Sequence, residues 1–172
     1  MSVNKAPGKF GEKRKACSNS PTQLGVSMPQ IEKSALVMYS SKEMFDLVND
    51  VDAYPEFLPH CSDAKVIALQ DNTMTASLEI SKAGIKKWFT TENTFEDENT
   101  VILRLVDGPF KALQGRWHFQ VLDDNACKVQ LQLEFEFASK LIELAFGRVF
   151  NDVAKNMVNA FTQRAKQVYG PR

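Results

Sequence analysis

The feature that most constrains this chain is a pair of alternating segments at 113–122 and 126–138, entered through the turn Asp107-Gly108-Pro109. Gly tolerates φ > 0 and Pro fixes φ near −65°, so the turn is ordinary hairpin chemistry. Period two sends successive side chains of a strand to opposite faces. In the first segment Leu113, Gly115, Trp117, Phe119 and Val121 share one face, and Gln114, Arg116, His118 and Gln120 look at water. The second is cleaner: Cys127, Val129, Leu131, Leu133, Phe135 and Phe137 point one way, while Lys128, Gln130, Gln132, Glu134 and Glu136 point the other. Strands of this kind belong to an antiparallel sheet with one wet face and one face that another layer must cover. Two large aromatics beside a glycine leave a shaped space there as readily as a filled one, which predicts a curved sheet holding an apolar ligand.

The cover is a long helix predicted over 139–168. Leu141, Ala145, Val149, Val153, Met157, Phe161 and Ala165 recur every four residues, and Phe146 and Phe150 widen the stripe. Gly147 costs about 1 kcal/mol against Ala inside a helix, so it either packs closely on the sheet or makes room for something. Further strands read at 31–39, 64–70, 73–82, 85–96 and 100–106, with turns at Asp71-Asn72, Gly84 and Asp123-Asp124-Asn125. Ser40 or Ser41 caps a short helix carrying Met44, Phe45, Leu47 and Val48, and a helical turn bracketed by Pro55 and Pro59 follows. The expected fold is α+β: a helix-grip in which a curved antiparallel sheet of about seven strands wraps a long C-terminal helix, with two short helices after the first strand.

At 172 residues, 44% hydrophobic and 24% charged, the chain is an ordinary globular protein. No apolar run approaches the ~18 residues needed to span a bilayer. Cys17, Cys61 and Cys127 are odd in number and lack CxxC spacing, so no disulfide framework is expected and a reducing, cytoplasmic setting is. The net charge of zero hides an asymmetry. Residues 1–27 carry Lys5, Lys9, Lys13, Arg14 and Lys15 against Glu12, which leaves sixteen basic and twenty acidic residues in 28–172. The first stretch reads as a disordered basic tail, with Met28 an alternative start to a single domain over 28–172. A basic arm or a transit peptide is the weaker reading, because Glu12 interrupts the charge and no amphipathic face forms. The acidic balance of 28–172 gives no overall attraction for nucleic acid, and no DNA partner is expected.

Catalysis finds little support. His60 and His118 are the two histidines, and no HxH, HExxH or Cys/His cluster of metal spacing occurs, so no metal is expected. His60 and Cys61 are neighbours, but neighbours on a strand point apart and do not make a nucleophile–base pair. Strand parity instead collects Met74, Ala76, Leu78, Ile80, Phe89, Leu103, Leu105, Leu113, Trp117, Phe119, Leu131, Leu133 and Phe135 on the helix-facing side. Each one alone is most simply core; the set describes a deep sheet roofed by one helix.

That architecture resembles the START-like superfamily, specifically the coenzyme-Q-binding START-domain and RatA-type ribosome association toxin family. The residues that carry the likeness are 45–59 (FDLVNDVDAYPEFLP), 105–110 (LVDGPF), Ala126-Cys127-Lys128-Val129, Ala145-Phe146-Gly147 and Arg164-Ala165-Lys166. It covers about 29–170 and is closest to the bacterial branch. The resemblance implies a binding protein, not an enzyme, with no catalytic residues and no catalytic cofactor. In the quinone-binding branch the cavity accommodates ubiquinone and supports respiration; in the bacterial branch the protein is a toxin, of the kind paired with an antitoxin, that binds the large ribosomal subunit and blocks subunit joining.

On this footing the expected ligand-binding residues are Leu78, Phe89, Thr91, Asn93, Leu103, Leu105, Phe110, Trp117, Phe119, Phe150, Val153 and Met157. Thr91 and Asn93 are placed to hydrogen-bond a quinone carbonyl or, equally, nearby backbone. Tyr54, Pro55, Phe57, Leu58, Asp107, Gly108 and Pro109 are read either as cavity rim or as rigid corners. Phe110 is expected exposed at a loop tip, suited to peripheral membrane or partner contact. Lys82, Lys86, Lys87, Arg104 and Arg116 are the candidates for a ribosome-facing surface, weighed against a salt-bridged solvated face. A monomer is expected. The competing function is a polyketide cyclase-like enzyme that acts on an apolar substrate in the same cavity; it would need a polar acid–base pair inside.

Overall fold

The computed structural model describes residues 28–172; the tail expected over 1–27, with Cys17, lies outside the described residues. Strand β1 (Gln30–Val37) leads to helix α1 (Ser41–Asn49). Ser40 is the cap: its Oγ accepts from the Glu43 N–H at 3.1 Å while Glu43 Oε2 accepts from the Ser40 N–H at 2.8 Å. This reciprocal pair satisfies two donors a helix start leaves free. A 3-10 turn (Val51–Ala53) and the short helix α2 (Tyr54–Phe57) follow. Pro55 lies in the first turn of α2, where a missing N–H is tolerated.

Strands β2 (Cys61–Gln70), β3 (Thr73–Lys82), β4 (Ile85–Asp97), β5 (Thr100–Asp107), β6 (Phe110–Asp123) and β7 (Ala126–Phe137) run as an antiparallel meander. With β1 added beside β7 they make one seven-stranded sheet in the order β1-β7-β6-β5-β4-β3-β2. Helix α3 (Lys140–Tyr169) packs on its apolar face, capped by Ser139, whose Oγ accepts from the Ile142 N–H at 3.2 Å. The expected helix-grip is therefore what forms.

Three expectations change in detail. β6 begins at Phe110, not 113, because Gly108 takes φ +143° and the chain reverses in two residues. A Cβ at Gly108 would stand 2.6 Å from Phe89 Cβ, so the turn lies flat on β4. Phe110 consequently points inward, is 5% exposed, and is no loop-tip contact. Val121 is 56% exposed although parity puts it inside, since a register shift between Val121 and Asp123 turns the end of β6 outward. The four-residue stripe on α3 holds from Val149 onward but not at Leu141 and Ala145, which are exposed. Each four-residue step overshoots a turn by about 40°, so a strict row walks round the helix. The buried row alternates steps of three and four: Phe146, Val149/Phe150, Val153/Ala154, Val158, Phe161, Ala165. Gly147 is settled as a close contact, since a Cβ there would meet Phe137 Cε2 at 3.3 Å.

Candidate functional site

Between α3 and the sheet lies a small apolar cavity of about 60 Å³. Its floor is Ala76 and Leu78 from β3, Phe89, Thr91 and Asn93 from β4, Leu103 from β5, Leu113 and Trp117 from β6, and Leu131 and Leu133 from β7. Its roof is Phe150, Val153, Ala154 and Met157 from α3, with Val51 and Tyr54 closing one side. Of the expected ligand-binding residues, Leu78, Phe89, Thr91, Asn93, Leu103, Trp117, Phe150, Val153 and Met157 line this space. Leu105, Phe110 and Phe119 do not. Phe119 is fully buried behind Trp117, its ring stacked at 6.2 Å and met by Phe45 at 5.9 Å. Phe110 is part of the wall behind Phe150, at 4.7 Å between centroids. Leu105 packs against the core from the far end of β5. Ala76, Leu113, Leu131 and Leu133, expected only on the helix-facing side, and Tyr54, expected at the rim, line it as well. Val51 and Ala154 lie outside every expected set, although Ala154 stands four residues after Phe150 on the roof face.

Both ends are closed by rings. At the α3 N-terminal end Phe89, Phe110, Phe135, Phe137, Phe146 and Phe150 form an edge-to-face cluster. At the other end Phe161 meets Tyr54 at 5.2 Å and Phe57 at 5.1 Å. The expected rim divides accordingly. Tyr54 and Leu58 are buried, Tyr54 in the cavity wall itself; Phe57 is half-buried and Pro55 exposed. Asp107, Gly108 and Pro109 do not reach the cavity and sit behind Phe89 at the opposite end, with Pro109 buried. Arg164 clamps α2 to α3: its Nη2 donates to Glu56 Oε2 at 2.6 Å and its guanidinium lies 5.2 Å over the Phe57 ring.

The polar part of the wall is small. Thr91 Oγ1 donates to Asn93 Oδ1 at 2.8 Å, both side chains buried. Tyr54 donates its hydroxyl to the Val48 carbonyl at 2.5 Å, and burial pushes its pKa far up. No group there titrates near neutrality. Elsewhere, burial raises the Cys61 thiol to about 11 and Cys127 likewise to about 11, so both are protonated and poor nucleophiles at neutral pH. The Cys61 thiol donates to the Asp63 carbonyl at 3.4 Å. His118 Nδ1 is 3.1 Å from Thr100 Oγ1. Among the described residues no group of His, Cys, Asp and Glu is arranged to hold a metal, and no helix is long and apolar enough to cross a membrane.

The cationic candidates fall into two groups, not one patch. Lys82, Lys86 and Lys87 gather at the β3–β4 hairpin, with Lys82 paired to Asp152 at 3.6 Å and Lys86 to Glu79 at 3.2 Å. Arg104 and Arg116 are diagonal neighbours on the outer face of β5 and β6, lining a depression of about 220 Å³ with Gln114, Gln132 and Glu134. Trp88, an outward residue that sequence reading passed over, stands between the groups with Lys65 Nζ 4.7 Å above its ring.

A long helix gripped by a seven-stranded antiparallel sheet over a small apolar cavity defines a START-like, helix-grip domain. Solved structures share it: a START superfamily protein from Mycobacterium smegmatis has a TM-score of 0.69 at 19% identity over 81% of this chain and 98% of that one. The ZhuI aromatase/cyclase from Streptomyces sp. R1128 has a TM-score of 0.69 at 15% identity over 81% and 94%. The polyketide cyclase/dehydrase and lipid transport family matches residues 37–162. In sequence the chain is 58% identical to the ribosome association toxin RatA of Vibrio cholerae over 83% of its length and 99% of the relative's. It is 52% identical to RatA of Escherichia coli K12 over 86% and 93%. The mitochondrial coenzyme Q-binding protein COQ10 homolog B of Xenopus laevis is 28% identical over 86% of this chain and 62% of its own. The chain belongs to the polyketide cyclase/dehydrase and lipid transport family, in the branch that holds the RatA proteins.

Proposed function

We propose that this chain is a non-enzymatic RatA-type binding protein of the bacterial cytoplasm. Its cavity takes the head of a ubiquinone-like prenyl lipid as a bound ligand, not as a catalytic cofactor, and its surface associates with the large ribosomal subunit to block joining, as the toxin of a toxin–antitoxin pair. The observation that carries the ligand part is the wall chemistry. The cavity is apolar except for the Thr91–Asn93 pair, whose internal hydrogen bond leaves the Asn93 amide N–H groups as the donors on offer to a ligand carbonyl. The ribosome part is supported by the likeness to ribosome association toxins at 58% and 52% identity, and the quinone part also by the likeness to the coenzyme Q-binding COQ10 relative.

Size sets a condition. A cavity of about 60 Å³ holds a few waters, whereas a benzene-sized ring needs roughly 150 Å³. Ligand entry therefore requires the walls to move apart, and Leu78, Leu103 and Met157 are the half-buried wall residues. A polyprenyl tail contributes about 0.8 kcal/mol for each CH₂ it removes from water, enough over a few isoprene units to meet the ordering cost.

The polyketide cyclase-like alternative is favoured only by the fold of the ZhuI neighbour. It meets a wall without an acid–base pair, since Thr91, Asn93 and a hydroxyl held by Val48 transfer no proton near neutral pH. The deciding experiment is native mass spectrometry of protein purified gently from cells, with solvent extraction of what co-purifies. A prenylquinone is expected in wild type and absent from Phe89→Asp; retention by a folded Phe89→Asp protein would remove this cavity as the site. Sedimentation of the Lys86→Glu/Lys87→Glu protein with large subunits tests the hairpin: weaker association with ligand content unchanged is expected, and an unchanged profile excludes that surface.

A further inference from the structure

The solvent side of α3 changes character along its length. Beyond its middle the outward residues are polar, Lys155, Asn156, Asn159, Gln163, Lys166 and Gln167, until Val168 in the last turn. In the first two turns they are Leu141, Leu144 and Ala145, each leucine 76% exposed, beside the exposed ion pair Lys140–Glu143. Spacing of three and seven residues puts Leu141, Leu144 and Arg148 on one face. The opposite side of these turns carries Phe146, buried in the aromatic cluster that closes this end of the cavity. An apolar stripe on the solvent side of a helix whose core side is already packed is a surface built to be covered. The Gly108-Pro109 turn lies alongside, tied to the start of the helix by the Ala138 N–H donating to the Pro109 carbonyl at 3.0 Å.

Charge favours one kind of cover. Glu143 is paired with Lys140 at 2.7 Å and Glu136 with Lys111 at 3.0 Å, while Arg148 stands in no ion pair among the described residues. The patch is thus a pair of leucines bordered by an uncompensated cation. We infer that the first two turns of α3 dock on a phospholipid bilayer, with Leu141 and Leu144 entering the acyl boundary and Arg148 meeting headgroup phosphate. The choice of a bilayer rests on the prenylquinone reading of the cavity, since such a ligand resides in membranes and this face overlies the aromatic end of its site. One apolar contact alone gives marginal, reversible binding; two leucines and a cation act as the combined signals that hold a peripheral protein.

Flotation of the full chain with quinone-free vesicles of mixed phosphatidylethanolamine and phosphatidylglycerol tests this apart from the ligand. Wild type is expected to float, with partitioning reduced about tenfold for each leucine replaced in Leu141→Asp and Leu144→Asp, and a smaller loss, abolished by salt, in Arg148→Glu. Leu36→Asp, on the outer face of β1 at a side chain 73% exposed, is the control and is expected to float like wild type. Equal melting temperatures show that the variants fold. Wild type that stays off the vesicles overturns the inference and leaves the cavity reading to its own extraction experiment. Flotation that depends on the leucines, with no quinone ever extracted, keeps the docking face and removes the ligand. A wild-type dimer that falls apart in Leu141→Asp/Leu144→Asp, or loss of large-subunit association by that variant with flotation unchanged, assigns the face to another occupant and overturns the inference as well.

Discussion

Gly108 shows how one residue sets the position of several. Its φ of +143° is open to glycine and strained for any L side chain, and an added Cβ would meet Phe89 Cβ at 2.6 Å and Phe89 Cα at 3.0 Å. Gly108→Ala is therefore expected to destabilise the fold by about 3 kcal/mol or more, read as a fall in the urea midpoint without change in m. It should also lower ligand retention, because Phe89 is part of the cavity wall. The two buried thiols give a pH signature. Their folded values of about 11 lie above the unfolded value of roughly 8.5. The folded chain then holds more protons than the unfolded chain across that interval. Stability is full below about 8.5 and declines as pH rises toward about 11. Thermal melts from pH 7 to 11 should show the decline, and alkylation of Cys61 and Cys127 in the native state at pH 8 should be slow; fast labelling of either would contradict its burial.

Among elements, the short α2 contributes Tyr54 to the cavity wall. It is held to α3 by Arg164–Glu56 and by the Phe57 and Tyr54 contacts with Phe161, while the sheet behind is continuous. Because Glu56 is largely exposed, the ion pair itself is worth at most about 1 kcal/mol. Glu56→Ala is expected to leave the melting temperature within a few degrees and to speed both uptake and release of a short-chain ubiquinone in stopped-flow measurements. Unchanged rates would move the opening away from α2. The same comparison shows where sequence was legible. Period two is a local rule, and on β7 it placed every residue from Cys127 to Phe137 on the correct face. It failed at Val121, where a register shift turned the strand end outward, and it did not extend to Phe110, expected at a loop tip, because the two-residue reversal starts the strand earlier than expected. On α3 the four-residue count misplaced Leu141 because the helix turns every 3.6 residues, not every 4. Cavity membership was legible for Phe89, Trp117 and Met157, whose faces follow from parity and helix spacing. It was not legible for Val51, whose place depends on a 3-10 turn packing over the sheet.

At the scale of the whole molecule, the cavity and the outward surfaces meet only at Leu103, which lines both the cavity and the Arg104/Arg116 depression, so they can be uncoupled at a residue away from it. Ala76 is buried on β3 in the cavity floor, in a strand where a β-branched residue is favoured. Ala76→Val adds two methyl groups to a space of about 60 Å³ and changes nothing outside. Filling a void with apolar volume commonly stabilises by about 0.5–2 kcal/mol, which for a domain of this size raises the melting temperature by roughly 2–5 °C. Walls already in contact with the added methyl groups no longer accept a ring, so the stabilised protein is expected to lose prenylquinone on extraction while sedimenting with large subunits as wild type does. Loss of both would mean that subunit association depends on an occupied cavity, and by linkage the large subunit would then tighten ligand binding by the same factor. Retention of ligand by Ala76→Val would place the quinone outside this cavity altogether. The three outcomes differ in which pair of measurements moves together, and the stability gain itself reports whether the space was empty in the folded chain.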